Sequence, residues 1–457
     1  MLNNFFMTRH TFNLALGLAA LSVFPPSVLA DYPIASHRYL ADPSSLVTKD
    51  RVYIYCSDDD ESPVGGSYNI PDVVCVSSSD MKNWTDHGSI FRASRETKWA
   101  KKTWAPAAIE RDGKFFLYFG NGGADIGVVS STNPVGPFTD PLGKALITHG
   151  TPGVQPATNM WLFDPGVFID DDGQAYIYFG GNGDHNVRAA KLNRDMISLD
   201  GEVIKLYATN FFEASWVFKR HGVYYFSYST TPKAQMRIDY MTGNSPTNFT
   251  YRGVVGDQPP INNNNNHAAQ FEFKGPWYHV YHNRIVAKQA GIPTGFRRNL
   301  AIEEFGFADD GSIKQVAYTT NGVTQIGHLN PYERVEGETF HAQSGVETEQ
   351  CSAGGMNLTE LNNGDWVKIV GVDFGSKGPK KFCACVASAE QGGSIELRLG
   401  DPEGKLIGTC KVGNTGGWQE WKDVSCEVSG ATGVQDLYLK FVGEDKPLLN
   451  LDWWKFE

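Results

Sequence analysis

Phe163-Asp-Pro-Gly-Val-Phe-Ile-Asp-Asp-Asp-Gly-Gln-Ala-Tyr-Ile-Tyr-Phe179 contains the structural unit from which most of this chain is built. The apolar run Val167-Phe-Ile169 reaches Asp172-Gly173, and the aromatic run Gln174-Ala-Tyr-Ile-Tyr-Phe179 follows. An Asp-Gly pair between apolar runs is a hairpin signature, because both residues tolerate the positive φ of tight turns. The aromatic strand recurs as Arg51-Val-Tyr-Ile-Tyr55, Lys114-Phe-Phe-Leu-Tyr-Phe119, Val223-Tyr-Tyr-Phe-Ser-Tyr228 and Trp277-Tyr-His-Val-Tyr281. The turns before these are Lys49-Asp50, Asp112-Gly113, His221-Gly222 and Lys274-Gly275. Upstream of the five aromatic strands lie Leu40-Ala-Asp-Pro43, Thr103-Trp-Ala-Pro106, Phe163-Asp-Pro-Gly166, Phe212-Glu-Ala-Ser215 and Asn266-His-Ala-Ala269. Each unit therefore opens with a strand carrying one polar or aromatic residue and turns into an aromatic strand.

The units recur roughly every 50–60 residues, with further strands such as Val73-Val-Cys-Val76 and Gly127-Val-Val129 filling them. A four-stranded antiparallel sheet repeated radially is a β-propeller, whose innermost strands line a central channel. The competing solenoid uses shorter repeats, and helical periodicity is almost absent after residue 30. The expectation is a five-bladed propeller over residues 31–327. Residues 328–335 read as a linker. Beyond it the cadence changes to alternating strands such as Ser394-Ile-Glu-Leu-Arg-Leu399 and Leu437-Tyr-Leu-Lys-Phe-Val442, separated by Gly-rich turns. Residues 336–457 thus predict a jelly-roll-like β-sandwich, and the fold class is all-β.

The first 30 residues read as an export signal. Arg9 precedes an apolar stretch broken by Pro25-Pro26, and Val28-Leu29-Ala30 offers a cleavage site before Asp31. The stretch is shorter than the roughly 20 residues needed to span a bilayer. The expected product is secreted, extracellular and monomeric, with no membrane partner. Without the signal the chain carries 39 basic and 51 acidic residues, a net of −12. An acidic chain without a basic cluster is a poor nucleic-acid binder, whereas a neutral substrate suits it. Seven cysteines in an exported chain are candidates for disulfides, although five of them cluster near the end and leave an odd thiol.

A propeller would point the inner-strand residues Asp42, Trp104, Asp164, Glu213 and His267 into one cavity. Like charges raise one another's pKa, so one of three carboxyls there stays protonated near neutrality. A protonated acid beside an ionised carboxylate is what glycoside hydrolysis needs: one donates to the leaving oxygen, the other activates water or attacks. Asp before Pro also simply begins turns, which is the structural reading of Asp42 and Asp164 taken singly.

The ordered set Leu40-Ala-Asp-Pro43, Trp104-Ala-Pro106, Phe163-Asp-Pro-Gly166, Phe212-Glu-Ala-Ser215 and Asn262-Asn-Asn-Asn-Asn-His-Ala268 resembles glycoside hydrolase family 43. The resemblance implies an inverting hydrolase of plant cell-wall pentosans, with Asp42 as general base, Glu213 as general acid and Asp164 tuning and orienting the acid. It further implies that Arg298, or its neighbour Arg297, contacts the sugar and the carboxylates. His267 resembles a channel histidine that contacts a central metal ion; a hydrogen-bonded core histidine is the alternative. Trp104 either stacks on the sugar or packs. No cofactor is implied for the chemistry.

Residues 336–457 resemble a family 6 carbohydrate-binding module through Glu336-Gly-Glu338, Gly364-Asp-Trp-Val367, Val372-Asp-Phe-Gly375, Gly416-Gly-Trp418 and Asn450-Leu-Asp-Trp-Trp454. Trp418 and Asn450 match sugar-contacting positions, while Ile369 stands where many members place a second aromatic. Sugar binding and structural packing on the propeller are both open for this domain. Glu336, Glu338 and Asp452 resemble the module's structural calcium site. The pattern as a whole resembles exo-acting β-xylosidases and α-L-arabinofuranosidases, with xylo-oligosaccharide, arabinoxylan or arabinan as substrate. An arabinan-directed hydrolase, a non-catalytic lectin-like propeller and a retaining β-fructosidase-like enzyme are the alternatives.

Overall fold

The computed structural model describes residues 33–59, 68–262, 264–444 and 447–457; the export segment expected over residues 1–30 lies outside them. Five antiparallel sheets follow one another along the chain, and within each the strands pair in sequence order. Their first strands are Leu40–Val47, Trp104–Arg111, Gly166–Ile169, Phe211–Arg220 and Ala268–Glu272. These touch one another in cyclic order, and the fifth returns to the first. That closed ring is a five-bladed β-propeller, as the repeats predict. Ile34, just ahead of blade I, helps close it by donating its N–H to Leu300 O in blade V at 3.2 Å.

The aromatic second strands explain why the blades stack. Each blade is covered on both faces by its neighbours, so these strands are apolar throughout rather than alternating. Their tyrosines have a second use. Tyr55, Tyr118 and Tyr178 are fully buried, and their hydroxyls donate to Pro134 O (2.8 Å), Met196 O (2.6 Å) and Pro246 O (2.8 Å). Each acceptor lies in the next blade, between its third and fourth strands. One residue type thus fills the interface between blades and latches it by a hydrogen bond.

The inner strands share a local irregularity that sets the site. Ala41 pairs with Ser57 but Ser44 with Tyr55; Trp104 pairs with Gly120 but Ala107 with Tyr118; Glu213 pairs with Ser229 but Trp216 with Ser227. Blade III does the same, because Gly180 N donates to Phe163 O while Gly166 faces Tyr178. Each of these four strands holds one extra residue, a β-bulge, at the channel end. The bulge residue is left-handed in every case: Asp42 (φ 49°), Ala105 (41°), Asp164 (51°) and Ala214 (64°). Alanine rarely adopts such φ, so this is backbone strain concentrated around one cavity.

The C-terminal domain is a sandwich of a six-stranded and a five-stranded sheet with its own apolar core. Residues 328–335 do not hang free between the domains: Leu329 N donates to Gly371 O, and Tyr332 Oη to Phe374 O. The sandwich is also joined to the propeller. Thr339–Phe340 pairs with Trp84–Phe91 as a fifth strand of blade I, and Asn83 exchanges two hydrogen bonds with the main chain of Val370. Ile369 is fully buried in the sandwich core. All seven cysteines are free thiols.

Candidate active site

A cavity of about 420 Å³ opens at the channel end where the four bulges meet, and Asp42, Asp164, Glu213, Trp104 and Arg298 line it. The repeat does not place its acids in strictly equivalent positions. Asp42 and Asp164 are the left-handed bulge residues, whereas Glu213 precedes its bulge residue and occupies the place held elsewhere by Ala41, Trp104 and Phe163. The bulge turns side chains at both positions toward the channel, which is why two different frames of the motif converge. Blades III and IV approach so closely here that a Cβ on Gly166 would lie 2.1 Å from Ser215 O.

The three acids differ in electrostatic environment. Burial by itself would raise the Asp42 carboxyl, but the Arg298 guanidinium, 2.6 Å from its Oδ1, outweighs that and holds it well below the usual carboxylate range. Arg298 is itself fixed by Asp59, which accepts from Nε (2.8 Å), Nη2 (2.7 Å) and the Arg298 main-chain N (3.0 Å). The planar fork is thereby used up on Asp59, and its remaining nitrogen is aimed at Asp42. The Asp42 main-chain N–H donates to Nδ1 of His282 at 3.2 Å, so that buried imidazole is neutral with its proton on Nε2.

Glu213 has the opposite setting. Burial, reinforced by the charge of Asp42, pushes its carboxyl up to about 8. No hydrogen bond reaches that carboxyl among the described residues. Burial, followed by the charges of Glu213 and Asp42, raises Asp164 well above the usual range too, but Asp164 Oδ2 accepts the Ala214 N–H at 3.0 Å, a bond that favours its ionised form. Within this pair the Ala214 bond favours ionisation of Asp164 and so biases the proton toward Glu213.

His267 lies beneath the carboxylates rather than on the cavity wall, with Nδ1 3.7 Å from Asp42 Oδ1 and 3.6 Å from Asp164 Oδ2. Burial lowers its pKa to about 4, so the ring is neutral. Trp104 lines the cavity, with Lys102 Nζ 4.7 Å above its ring. Of the two neighbouring arginines, Arg298 belongs to the site; Arg297 turns to Pro293 O and the Tyr39 ring. Sequence reasoning missed Asp59, His282 and Tyr68, whose ring the Arg298 guanidinium covers at 4.4 Å, as well as Trp161 at the rim. Trp161 packs against Phe163 and Phe212 yet remains 40% exposed.

Among the described residues, no three His, Cys, Asp or Glu side chains form a ready cage for a metal ion. At the edge of the sandwich, Arg334 Nη2 lies 2.7 Å from Glu336 and 3.4 Å from Asp452, while the buried Glu338 keeps an unpartnered Oε2. An orphaned buried oxygen beside two carboxylates is chemistry that a hard cation satisfies. Asn450 is buried with both amide hydrogens committed, to Trp418 O and Glu349 Oε1, each at 2.8 Å. It braces the Trp418 strand, and the Trp418 side chain is half-buried.

Residues 30–313 match the family model for glycosyl hydrolases family 43, and residues 336–457 that for the family 6 carbohydrate binding module. The chain is 42% identical to an arabinoxylan arabinofuranohydrolase of Paenibacillus polymyxa, over 93% of this chain and 74% of that protein. It is 41% identical to an arabinoxylan arabinofuranohydrolase of Bacillus subtilis, over 93% and 92%. The crystal structure of a family 43 arabinoxylan arabinofuranohydrolase from Bacillus subtilis, in complex with cellotetraose, superposes with a TM-score of 0.88 at 40% identity. It covers 94% of this chain and 98% of that one.

Proposed function

The chain belongs to glycosyl hydrolases family 43, and from that premise we propose that it removes α-L-arabinofuranosyl side groups from arabinoxylan, with inversion at the anomeric carbon. β-Xylosidase action on xylo-oligosaccharide ends is the second activity expected of the same cavity. One observation carries the reading: a buried carboxyl that keeps its proton, Glu213, shares a cavity with a carboxylate, Asp42, that cannot take one up near neutrality. Glu213 would donate its proton to the glycosidic oxygen as that bond breaks. Asp42 would take a proton from the water that attacks the opposite face of the sugar. Asp164, anchored by the Ala214 N–H next to Glu213, would keep the acid protonated by its charge and hold it in place.

The choice of arabinose rests on the relatives, whose printed activity is arabinoxylan arabinofuranohydrolysis. The test is product analysis on arabinoxylan, linear arabinan and xylobiose. Free arabinose from arabinoxylan, with the xylan backbone intact, is the expected result. Efficient hydrolysis of linear arabinan with arabinoxylan untouched would move the assignment to an arabinan-directed enzyme. NMR of the first-formed sugar should show the inverted anomer; the retained one would make Asp42 a nucleophile. Secretion as a monomer belongs to the same reading, and N-terminal sequencing of the exported protein should begin at Asp31.

A further inference from the structure

The two layers of the C-terminal sandwich meet along one side. Lys405–Val412 is the edge strand of one layer, Gly417–Glu427 is the edge strand of the other, and residues 413–416 join them. Past that turn the two edges touch. Ser429 N donates to Ile407 O at 3.0 Å, and a Cβ on Gly408 would lie 3.2 Å from Val428 Cγ2. Ile407 is thus set against Ser429 and Gly408 against Val428, an antiparallel register. Carried two residues further, the same register sets Cys410 directly against Cys426. Directly opposed residues of antiparallel strands have Cα atoms about 4.5–5.5 Å apart, inside the roughly 4.4–6.8 Å that a disulfide spans.

The two side chains also turn toward each other. Both pack on the sandwich core, Cys410 fully buried and Cys426 half-buried. Their thiols are in hydrogen-bonding contact, with Cys410 giving the S–H; that bond holds Cys426 below the ordinary thiol range in spite of its burial. The sulfur nearer to solvent is therefore the one that ionises more readily and attacks first. The other thiols are placed differently. Cys383 stands opposite Ser425, one residue out of phase with Cys426, and so lies on the other face of that sheet. Cys351 and Cys385 both bond to Asp452. Cys75 stands opposite Tyr55 while Cys56 stands opposite Val74, which puts those two cysteines on opposite faces of blade I.

We propose that Cys410 and Cys426 are a disulfide-forming pair, closed by a low-molecular-weight disulfide oxidant, and that the bond staples the two layers of the sandwich at their shared edge. The Cys426 thiolate attacks one sulfur of the oxidant, forms a mixed disulfide and expels one thiolate. Cys410 then loses its proton, attacks Cys426 Sγ and expels the second. Two protein thiols are oxidised to one disulfide, the oxidant's disulfide is reduced to two thiols, and the expelled thiolates take up the protons that the cysteines lost. The bond encloses residues 410–426, which carry Trp418 and Trp421, and it restricts that segment in the unfolded chain. An oxidising compartment, which secretion would give the chain, supplies such oxidants. The pair lies in the sandwich, apart from the catalytic cavity, and its closure does not depend on which sugar the enzyme releases.

Thiol counting and peptide mapping on the full chain test it. After incubation with glutathione disulfide at mildly alkaline pH, the unfolded protein should show two thiols fewer than its seven. Peptide mapping should join Cys410 to Cys426. Tm should rise by several degrees, and dithiothreitol should reverse the rise. Cys410→Ala should stop at the first step, with glutathione held on Cys426 and no gain in Tm. Seven thiols retained after the incubation, a link between any other pair, or a wild-type Tm that ignores the redox state would overturn the proposal. The mapping on wild type decides the pairing even if Cys410→Ala fails to fold.

Discussion

At the scale of single residues, the three acids stand in unequal environments, and the proposed roles depend on that. As the proposed general acid, Glu213 has to be protonated, so kcat/KM should fall as pH rises through about 8. Asp42 must be ionised, and because Arg298 holds it well below the usual range, activity should persist into acid until the fold itself fails. Lysine at position 298 keeps the charge but cannot serve Asp59 with a fork and Asp42 with a third nitrogen. Arg298→Lys should therefore raise the acid limb of the pH profile and cut kcat/KM by roughly ten- to a hundredfold; an unmoved acid limb would remove Arg298 from the control of Asp42. Glu213 also carries a stability cost. Its folded-state pKa of about 8 exceeds the ordinary 4.5, so between those values the native state binds a proton that the unfolded chain has released. Stability falls as pH rises across that window, by roughly 3 kcal/mol at pH 7. Glu213→Gln should raise Tm by several degrees at pH 8 and scarcely at pH 4 while abolishing activity on arabinoxylan. A lower Tm at pH 8 would contradict the protonation assigned here.

At the scale of elements, the bulge explains both what could be read in the sequence and what could not. Asp42-Pro43 and Asp164-Pro165 are the same structural position, and the repeated motif displays them directly. Glu213 was found by its spacing, but its frame differs by one residue, and only the pairing register reveals that the bulge brings both frames to the channel. Asp59 was illegible because it sits in Asp58-Asp59-Asp60, an acidic run that reads as a solvated turn; its partner Arg298 lies 239 residues away. Asn450 matches a sugar-contacting position by motif, and its two amide hydrogens are held by Trp418 O and Glu349 Oε1. The close approach at Gly166 gives a sharp test of the element argument. A methyl group there meets the Ser215 carbonyl and must push blades III and IV apart, moving Asp164 relative to Glu213. Gly166→Ala should cost about 1–3 kcal/mol and lower kcat more than KM. Wild-type kinetics would show that the gap between the blades does not position the acids.

At the scale of the whole molecule, the two domains are one structure. Thr339–Phe340 completes blade I, and Thr348 of the sandwich donates to Asp86 (2.8 Å) and accepts from Arg38 (3.0 Å), four residues before Asp42. Truncation after residue 335 removes these partners and uncovers Trp84; the shortened protein should melt several degrees lower and lose activity on small substrates as well as on polymer. An unchanged Tm would make the module a tethered accessory. Calcium is proposed to satisfy the orphaned Glu338 oxygen, so adding it to chelator-treated protein should raise Tm, whereas Glu338→Gln should abolish that gain. The five repeats made the propeller legible because each blade repeats one hairpin; the junction was not legible, because it depends on contacts between single residues far apart in sequence. Everything proposed for the cavity turns on Glu213 delivering the proton to the leaving group of an arabinofuranoside. That step is tested most directly by comparing Glu213→Ala with wild type on arabinoxylan, whose leaving alcohol needs a proton, and on p-nitrophenyl α-L-arabinofuranoside, whose leaving group does not. A loss of about a thousandfold or more is expected on arabinoxylan and a far smaller loss on the nitrophenyl substrate. Equal losses on the two, or retained activity on arabinoxylan, would contradict it.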